Sequence, residues 1–156
     1  MSKKKSGLNL WYGCAALLTL VAIIMIFVTN INIVGKISEE VHYACNGLQV
    51  TFGFKDGNLE VYSFSIMNLV TYLLLIAGFV LLLLELLNVT KSKVVDFVVL
   101  CVLVVSGVFF FLMPSFAVCP YANSLVVLNL GIGAILAGVL ALVSACVVAA
   151  KMLMKK

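Results

Sequence analysis

Four long runs of apolar residues dominate the chain, and none shows the alternation of polar and apolar positions that is typical of a half-buried strand. The runs cover residues 10–31, 66–87, 94–113 and 123–150. A helix needs about 20 apolar residues to cross a hydrocarbon core, and only helices or closed barrels satisfy their backbone hydrogen bonds there. The pattern therefore predicts an all-α membrane protein, a four-helix transmembrane bundle in which residues 1–156 form one domain.

A different pattern lies between the first two runs. Apolar residues alternate with others over residues 48–54, and Asp56-Gly57 follows them. Asp-Gly flanked by alternating apolar residues is the strongest short-range signal for a hairpin. We therefore predict a small extracellular β-hairpin over residues 48–64, with a two-residue turn at Asp56-Gly57 that places Phe54 opposite Leu59.

The other connections between the runs carry weaker signals. Residues 32–44 are predicted to continue the first helix beyond the membrane. Residues 114–122 form a short second loop without charged residues, with a proline near each end. Proline lacks the amide hydrogen that a helix interior requires, so Pro114 fits a third helix that ends near Met113.

The lysines predict the orientation. Eight of them precede the first run, separate the second from the third or follow the fourth: Lys3, Lys4, Lys5, Lys91, Lys93, Lys151, Lys155 and Lys156. Only Lys36 and Lys55 fall on the other side. Because lysine is enriched in cytoplasmic loops, we expect a multi-pass plasma-membrane protein with both termini in the cytoplasm.

Composition supports a bilayer as the solvent. Apolar residues make up 65% of the chain and charged residues 10%, whereas soluble domains average about 45–50% and about 25%. The net charge is +4, and all ten basic residues are lysines. Arginine carries most bidentate contacts to phosphates and guanines. The expected partner is therefore the lipid bilayer and not nucleic acid.

Two of the five cysteines, Cys45 and Cys119, fall in the two predicted outer loops, one in each. A disulfide between them would join the loops in an oxidising exterior. The alternative is a pair of free thiols in a reducing environment. The other three cysteines lie within the apolar runs, where we interpret them as small packing residues.

Ionisable side chains within the apolar runs lie near their ends. We expect Glu85 and Asp96 to reach water at the membrane surface, or to pair with Lys91 or Lys93. The only histidine, His42, has no second residue at a spacing typical of metal ligands. It is predicted to be a solvated surface residue.

Neutral polar residues cluster toward the predicted outer ends of the helices. Asn68, Thr71 and Asn129 would form a polar patch beneath the hairpin if they faced inward. Such a patch suits a small ligand or an ion. The alternative is that these side chains hydrogen-bond between helices, which contributes about 0.6–2 kcal/mol each.

Small residues recur at four-residue intervals in the fourth run, at Gly133, Ala137, Ala141 and Ala145. This spacing forms a flat helix face that allows another helix to approach closely. Two interpretations remain open at this point. The face packs within the four-helix bundle, or it contacts a second subunit or another membrane protein.

No group of residues in the sequence resembles a catalytic, cofactor-binding or metal-binding site, so we do not expect an enzyme. The hairpin and the small-residue face favour a structural, adhesion or accessory subunit that acts through contacts. The alternative hypothesis is a subunit of a small oligomeric channel or transporter that uses the polar patch.

The predicted layout resembles claudin-like and other tetraspan membrane proteins, which have four spans, a larger first outer loop with β-structure and a small second one. The claudin signature itself is missing, since Trp11 is the only tryptophan and Cys45 the only cysteine of the first loop. Residues 52–54 and 64–73 resemble uncharacterised small four-span membrane proteins of low-GC Gram-positive bacteria. This resemblance implies the same fold and carries no activity.

Overall fold

The computed structural model describes residues 3–89, 92–120 and 125–154. Four long helices, each apolar and long enough to cross a membrane, confirm the predicted helical bundle. They are α1 (Lys3–Ile24), α3 (Ile66–Leu86), α4 (Lys93–Phe111) and α6 (Ile132–Met154). The chain is thus compatible with a multi-pass membrane protein. The predicted start of the fourth span at residue 123 and the lysines at 91, 155 and 156 lie outside the described residues.

The elements between the helices gather at one end of the bundle. A 3₁₀ turn (Met25–Phe27) leads into β1 (Thr29–Gly35) and β2 (Val41–Asn46), followed by α2 (Gly47–Phe52), β3 (Phe54–Asp56) and β4 (Leu59–Tyr62). Between α4 and α6 lie α5 (Met113–Phe116) and β5 (Val126–Leu130). We call residues 28–65, 112–120 and 125–131 the cap. Among the described residues, the opposite end of the bundle carries the short connection between α3 and α4, the start of α1 and the end of α6.

The cap contains two antiparallel sheets. The larger has three strands in the order β2-β1-β5, and β3 pairs with β4 in the smaller one. In the larger sheet Ile31 lies opposite both Cys45 and Leu130. The central strand comes from the first connection and one edge strand from the last, so these two connections form one folded unit.

Residues 32–44 form most of β1 and β2, so the predicted extension of the first helix is wrong. Ile31 and Ile33 are buried, and the less buried Asn32 lies between them. This period of two is the strand signal. The strand signal was hard to recognise in the sequence, because β1 follows the apolar run of α1 without a polar break.

The predicted strand over residues 48–54 is also wrong, since Gly47–Phe52 is a helix. Asn46 caps this helix. Its side-chain oxygen accepts a hydrogen bond from the backbone amide of Gln49, and its own backbone amide donates to the side-chain oxygen of Gln49, both at 3.0 Å. This reciprocal capping box stabilises a helix start. The Asn46-x-x-Gln49 spacing was therefore the signal that outweighed the alternation.

The turn between β3 and β4 lies one residue later than predicted. Asp56 pairs with Leu59 and Lys55 with Glu60, so Gly57-Asn58 forms the connection. Gly57 has a φ of +59°, a conformation that glycine adopts without strain. The later turn alone would pair Phe54 with Val61 in place of the predicted Leu59. An irregularity between Phe54 and Lys55 moves the partner of Phe54 on by one more residue, to Tyr62.

The fourth helix begins at Ile132, because the residues before it form β5. Gly131 allows the chain to turn from this strand into α6. A Cβ atom at Gly131 would lie 2.5 Å from the Thr29 carbonyl oxygen of β1. Strand pairing thus takes the first residues of the predicted span out of the helix.

Polar and small side chains hold the bundle together from the inside. The Thr19 and Ser144 hydroxyls of α1 and α6 lie 2.9 Å apart, and the Ser106 hydroxyl of α4 donates to the Thr71 carbonyl of α3 at 3.1 Å. Large apolar side chains such as Leu73 and Val139 are exposed on the outer surface. This distribution is typical of helices whose surroundings are lipid.

We expect Gly138→Leu to destabilise the bundle. A Cβ atom at Gly138 would lie 2.9 Å from the Phe111 ring and 3.1 Å from the Gly107 carbonyl oxygen of α4. Overpacking of this kind costs about 1–3 kcal/mol. Unfolding titrations in mixed micelles would measure it. Val139→Leu on the exposed face of the same helix is the matched control, and equal stability of the two variants would contradict the close approach of α4 and α6.

Candidate functional sites at the two ends of the bundle

A pocket of about 360 Å³ lies in the cap, between the three-stranded sheet and the β3–β4 pair. Four strands and the second outer connection contribute to its walls. The lining residues are Ile33, His42, Tyr43, Leu59, Val61, Cys119, Leu125 and Val126. Most of these side chains are apolar, and no aspartate, glutamate or lysine is among them. The cap pocket, as we call it, was not predicted, because it requires the pairing of β5 with β1.

Two contacts fix the β3–β4 pair beside the sheet. The Tyr43 hydroxyl donates to Asp56 at 2.9 Å, and the rings of Tyr43 and Phe54 meet edge to face with centroids 6.3 Å apart. The hydrogen bond to Asp56 raises the pKa of Tyr43 above its ordinary value, because the carboxylate favours the protonated phenol. Tyr43 therefore joins β2 to β3 and forms one wall of the pocket.

The second outer connection is attached to the same unit. The Ser63 amide donates to the Val118 carbonyl at 2.9 Å, and the Ser65 hydroxyl donates to the Phe116 carbonyl at 2.6 Å. These bonds place Cys119 against β4. The pocket thus lies where the two outer connections of the chain meet.

Cys45 and Cys119 are both free thiols in the structure, so the predicted disulfide is absent. Cys45 is 1% exposed within β2, and Cys119 is half-buried at the pocket wall. Burial, together with the charge of Cys119 when ionised, raises the pKa of Cys45 to about 11. One cysteine per loop predicted proximity, but a disulfide also requires a specific orientation of the two Cβ atoms, which loop assignment cannot give.

The predicted polar patch does not assemble. Asn68 and Thr71 are buried in α3, whereas Asn129 is exposed on β5 opposite Asn32. The Thr71 hydroxyl donates to the Met67 carbonyl at 2.9 Å within its own helix. The patch fails because residue 129 belongs to a strand and not to the fourth helix.

Three polar side chains in and beneath the cap are buried and lack a hydrogen-bond partner among the described residues. They are the hydroxyls of Thr51 and Tyr62 and the amide of Asn68. Burial raises the pKa of Tyr62 well above its ordinary value. Leaving a buried polar group unsatisfied costs about 1–3 kcal/mol.

The four small residues of α6, Gly133, Ala137, Ala141 and Ala145, are all buried. Their surroundings are parts of the same chain. A Cβ atom at Gly133 would lie 2.9 Å from the Thr29 carbonyl oxygen of β1, and a Cβ atom at Gly138, next to Ala137, would lie 3.1 Å from the Gly107 carbonyl oxygen of α4. The structure therefore supports the interpretation that this face packs within the four-helix bundle. The same surface is then not exposed for a contact with a second subunit.

A charged cluster lies at the other end of the bundle. The Lys151 ammonium of α6 donates to both carboxylate oxygens of Asp96 in α4, at 3.0 Å each. It also lies 3.7 Å from the centroid of the Tyr12 ring in α1, and the Tyr12 hydroxyl donates to Asp96. Lys151 and Asp96 are each 1% exposed. These three residues, the terminal cluster, connect three helices.

Asp96 does not reach water as predicted, because it is 1% exposed and pairs with Lys151. Lys91, one of its two predicted partners, lies outside the described residues. Glu85, in the last turn of α3, is likewise 4% exposed and does not reach the surface. A signal for Lys151 existed in the sequence. It continues the stripe of buried positions Ala141, Ser144 and Val148 along one face of α6. A lysine on such a stripe needs an acidic partner, because burying an isolated charge is very costly.

The terminal cluster satisfies its charges internally and therefore has the features of a buried ion pair. Removing one partner of such a pair costs about 3–5 kcal/mol, whereas replacing both with apolar residues is often neutral. Ionisable groups within membrane segments also mark ion and proton pathways in many proteins. The cluster is thus a second candidate site, at the end opposite the cap pocket.

His42 is exposed and lies at the cap pocket, with its Nε2 atom 3.3 Å from the Ser38 hydroxyl. Within the described ranges, no group of three or more histidine, cysteine, aspartate and glutamate side chains could hold a metal ion.

We expect Lys151→Met to destabilise the protein by about 3–5 kcal/mol, because it leaves the Asp96 carboxylate buried without its cation. Asp96→Leu should do the same from the other side. The double variant should recover most of the loss. Unfolding of all three in mixed micelles measures the coupling, and Lys93→Met at an exposed position is the control. If the loss of stability in the double variant equalled the sum of the losses in the two single variants, that result would contradict a buried ion pair.

The raised pKa of Cys45 predicts a pH dependence of stability. The folded protein binds the thiol proton up to about pH 11, whereas the unfolded chain releases it near its ordinary value of 9.0. The contribution of Cys45 is therefore complete below pH 9.0 and is lost as the pH rises through about 11. Unfolding measured from pH 8 to 11 should show a smaller decline for Cys45→Ala. A slope equal to that of the wild type would contradict the burial of this thiol.

The chain was also compared with known proteins. No family model, no curated protein and no solved structure matches it.

Proposed function

We propose that this chain is a non-enzymatic multi-pass membrane protein that acts through contacts made by its cap, as a structural, adhesion or accessory subunit. One observation carries the proposal: both connections at one end of the bundle fold into a single unit with its own sheet. The connection at the other end has only a few residues. The protein thus places its extramembrane folded structure on one side of the membrane, where a contact surface is useful.

The edges of the cap sheet support this role. Strands β2 and β5 are the two edges, and each pairs only with β1 among the described residues. Edge strands present unpaired backbone groups that another chain can bind. Val41 on one edge is 57% exposed and Val127 on the other is 43% exposed. Exposed apolar residues on unpaired edges are suited to burial against a partner.

The distribution of charge supports an orientation with the cap outside the cell and both termini in the cytoplasm. Most lysines belong to the end opposite the cap, as the positive-inside rule requires. The cap holds four of the six acidic residues, Glu39, Glu40, Asp56 and Glu60. We further propose that the chain resides in the plasma membrane. We also propose that it is related to the small four-span proteins of low-GC Gram-positive bacteria that its sequence resembles.

The contact role is tested by a photo-crosslinking amino acid at position 127, on the exposed β5 edge. In intact cells we expect covalent adducts with one predominant protein, identified by mass spectrometry, because the edge lies in the contact. The same amino acid at Leu73, which is 53% exposed on α3, should react with lipid.

Adducts at position 127 that contain only lipid or water would contradict the contact role. An impermeant maleimide applied to Lys55→Cys in intact cells controls the orientation. Labelling there only after permeabilisation would place the cap in the cytoplasm and overturn the proposed topology.

A second candidate function, a subunit of a small channel or transporter, has one observation in its favour. The pair of Asp96 and Lys151 is buried within helices that are long enough to cross a membrane, where ionisable residues often serve transport. In proteoliposomes this function predicts a proton or cation flux that Asp96→Asn abolishes and Lys93→Met preserves. Equal leak in both variants and in protein-free liposomes would contradict it.

A further inference from the structure

We propose that the cap pocket binds a small neutral molecule that is mostly hydrocarbon, aromatic or branched aliphatic. This inference does not depend on the contact role, since it concerns the concave interior of the cap and not its sheet edges. It rests on the size of the pocket, the chemistry of its walls and the way its polar groups are already engaged.

The size of the pocket suits a small molecule. Its volume of about 360 Å³ lies within the range of about 300–1,000 Å³ that is typical of small-molecule sites. Walls contributed by separate strands surround the occupant from several sides. Leu59 and Leu125 of the lining are 41% and 65% exposed. An apolar occupant would remove these side chains from water, which stabilises a complex by about 25 cal/mol per Å² buried.

The walls select against charge. The lysines and carboxylates of the cap, such as Lys55 and Glu60, lie outside the lining. An ionic group in this pocket would lose hydration without an aspartate, glutamate or lysine of the lining to pair with, and that loss is large. The neutral form of a ligand is therefore strongly preferred.

Two polar side chains of the lining have partners outside the pocket. The Tyr43 hydroxyl donates to Asp56 and so presents its ring to the pocket, and His42 Nε2 lies 3.3 Å from the Ser38 hydroxyl. Binding must therefore come mainly from apolar contact. Cys119 completes the lining with a soft thiol, which favours polarisable rings and alkyl groups.

Cys119 also provides a native reporter for the test. The protein in lipid nanodiscs is treated with N-phenylmaleimide, a neutral aromatic thiol reagent, and alkylation of each cysteine is followed by mass spectrometry. If the reagent first binds in the pocket, the rate at Cys119 should level off as its concentration rises. Lys55→Cys, at an exposed position of the cap, should react in proportion to concentration and reports alkylation without a preceding binding step. An anionic methanethiosulfonate should show no levelling at Cys119.

Two neighbouring residues of β5 supply a matched pair of variants. Val126 lines the pocket and Val127 does not. We expect Val126→Trp to fill the pocket and slow alkylation of Cys119 by N-phenylmaleimide about tenfold. Val127→Trp should leave the rate within about twofold of the wild type. Leu59→Trp, on a different wall, is a second filling variant in case the first does not fold.

Three results would overturn the proposal. A rate at Cys119 that stays linear with reagent concentration in the wild type shows that no binding step precedes alkylation, and this result needs no variant. Equal slowing by Val126→Trp and Val127→Trp would mean that the pocket is not the route to the thiol. A rate that falls as the protein-to-lipid ratio rises would assign the pocket to a second copy of the chain.

Discussion

The pairing of β1 with β5 is the constraint on which the rest of the cap depends. It joins the segment that follows α1 to the segment that precedes α6, almost a hundred residues later in the chain. Ile31 lies opposite Leu130, and the Gly131 amide donates to the Asn30 carbonyl at 2.7 Å. Without this pairing the first outer connection would hold an isolated strand pair, which is marginal in water. With this pairing, β2 belongs to a three-stranded sheet, and residues of that sheet line one side of the cap pocket.

The same pairing determines where α6 can begin. A side chain at Gly131 or Gly133 would meet the Thr29 carbonyl oxygen within 3 Å, so the helix starts against the backbone of β1. From there its small residues descend between α1 and α4, and the close approach at Gly138 follows. Small residues of the same segment therefore allow close backbone contact both with the cap, at Gly131 and Gly133, and with α4 of the bundle, at Gly138.

The sequence predicts the helices well because their signal is local and strong: about 20 apolar residues in a row leave no other stable structure in lipid. The cap is harder, since its signals compete. Alternation over residues 48–54 favours a strand, but the capping box of Asn46 and Gln49 stabilises a helix at the same place. Residues 126–130 belong to an apolar run, and only their non-local pairing with β1 makes them a strand. The cap pocket and the terminal cluster depend on such non-local contacts, which composition and spacing do not contain.

The two ends of the bundle are connected through the same helices. At the cap, β1 and β5 hold the end of α1 beside the start of α6. At the opposite end, Tyr12, Asp96 and Lys151 join α1, α4 and α6 through a hydrogen bond, an ion pair and a cation–π contact. Because α6 is fixed at both ends, tilting it would require breaking either a strand ladder or a buried ion pair. A bundle restrained in this way holds the cap in one position, and a surface held in one position loses little conformational entropy when it binds a partner.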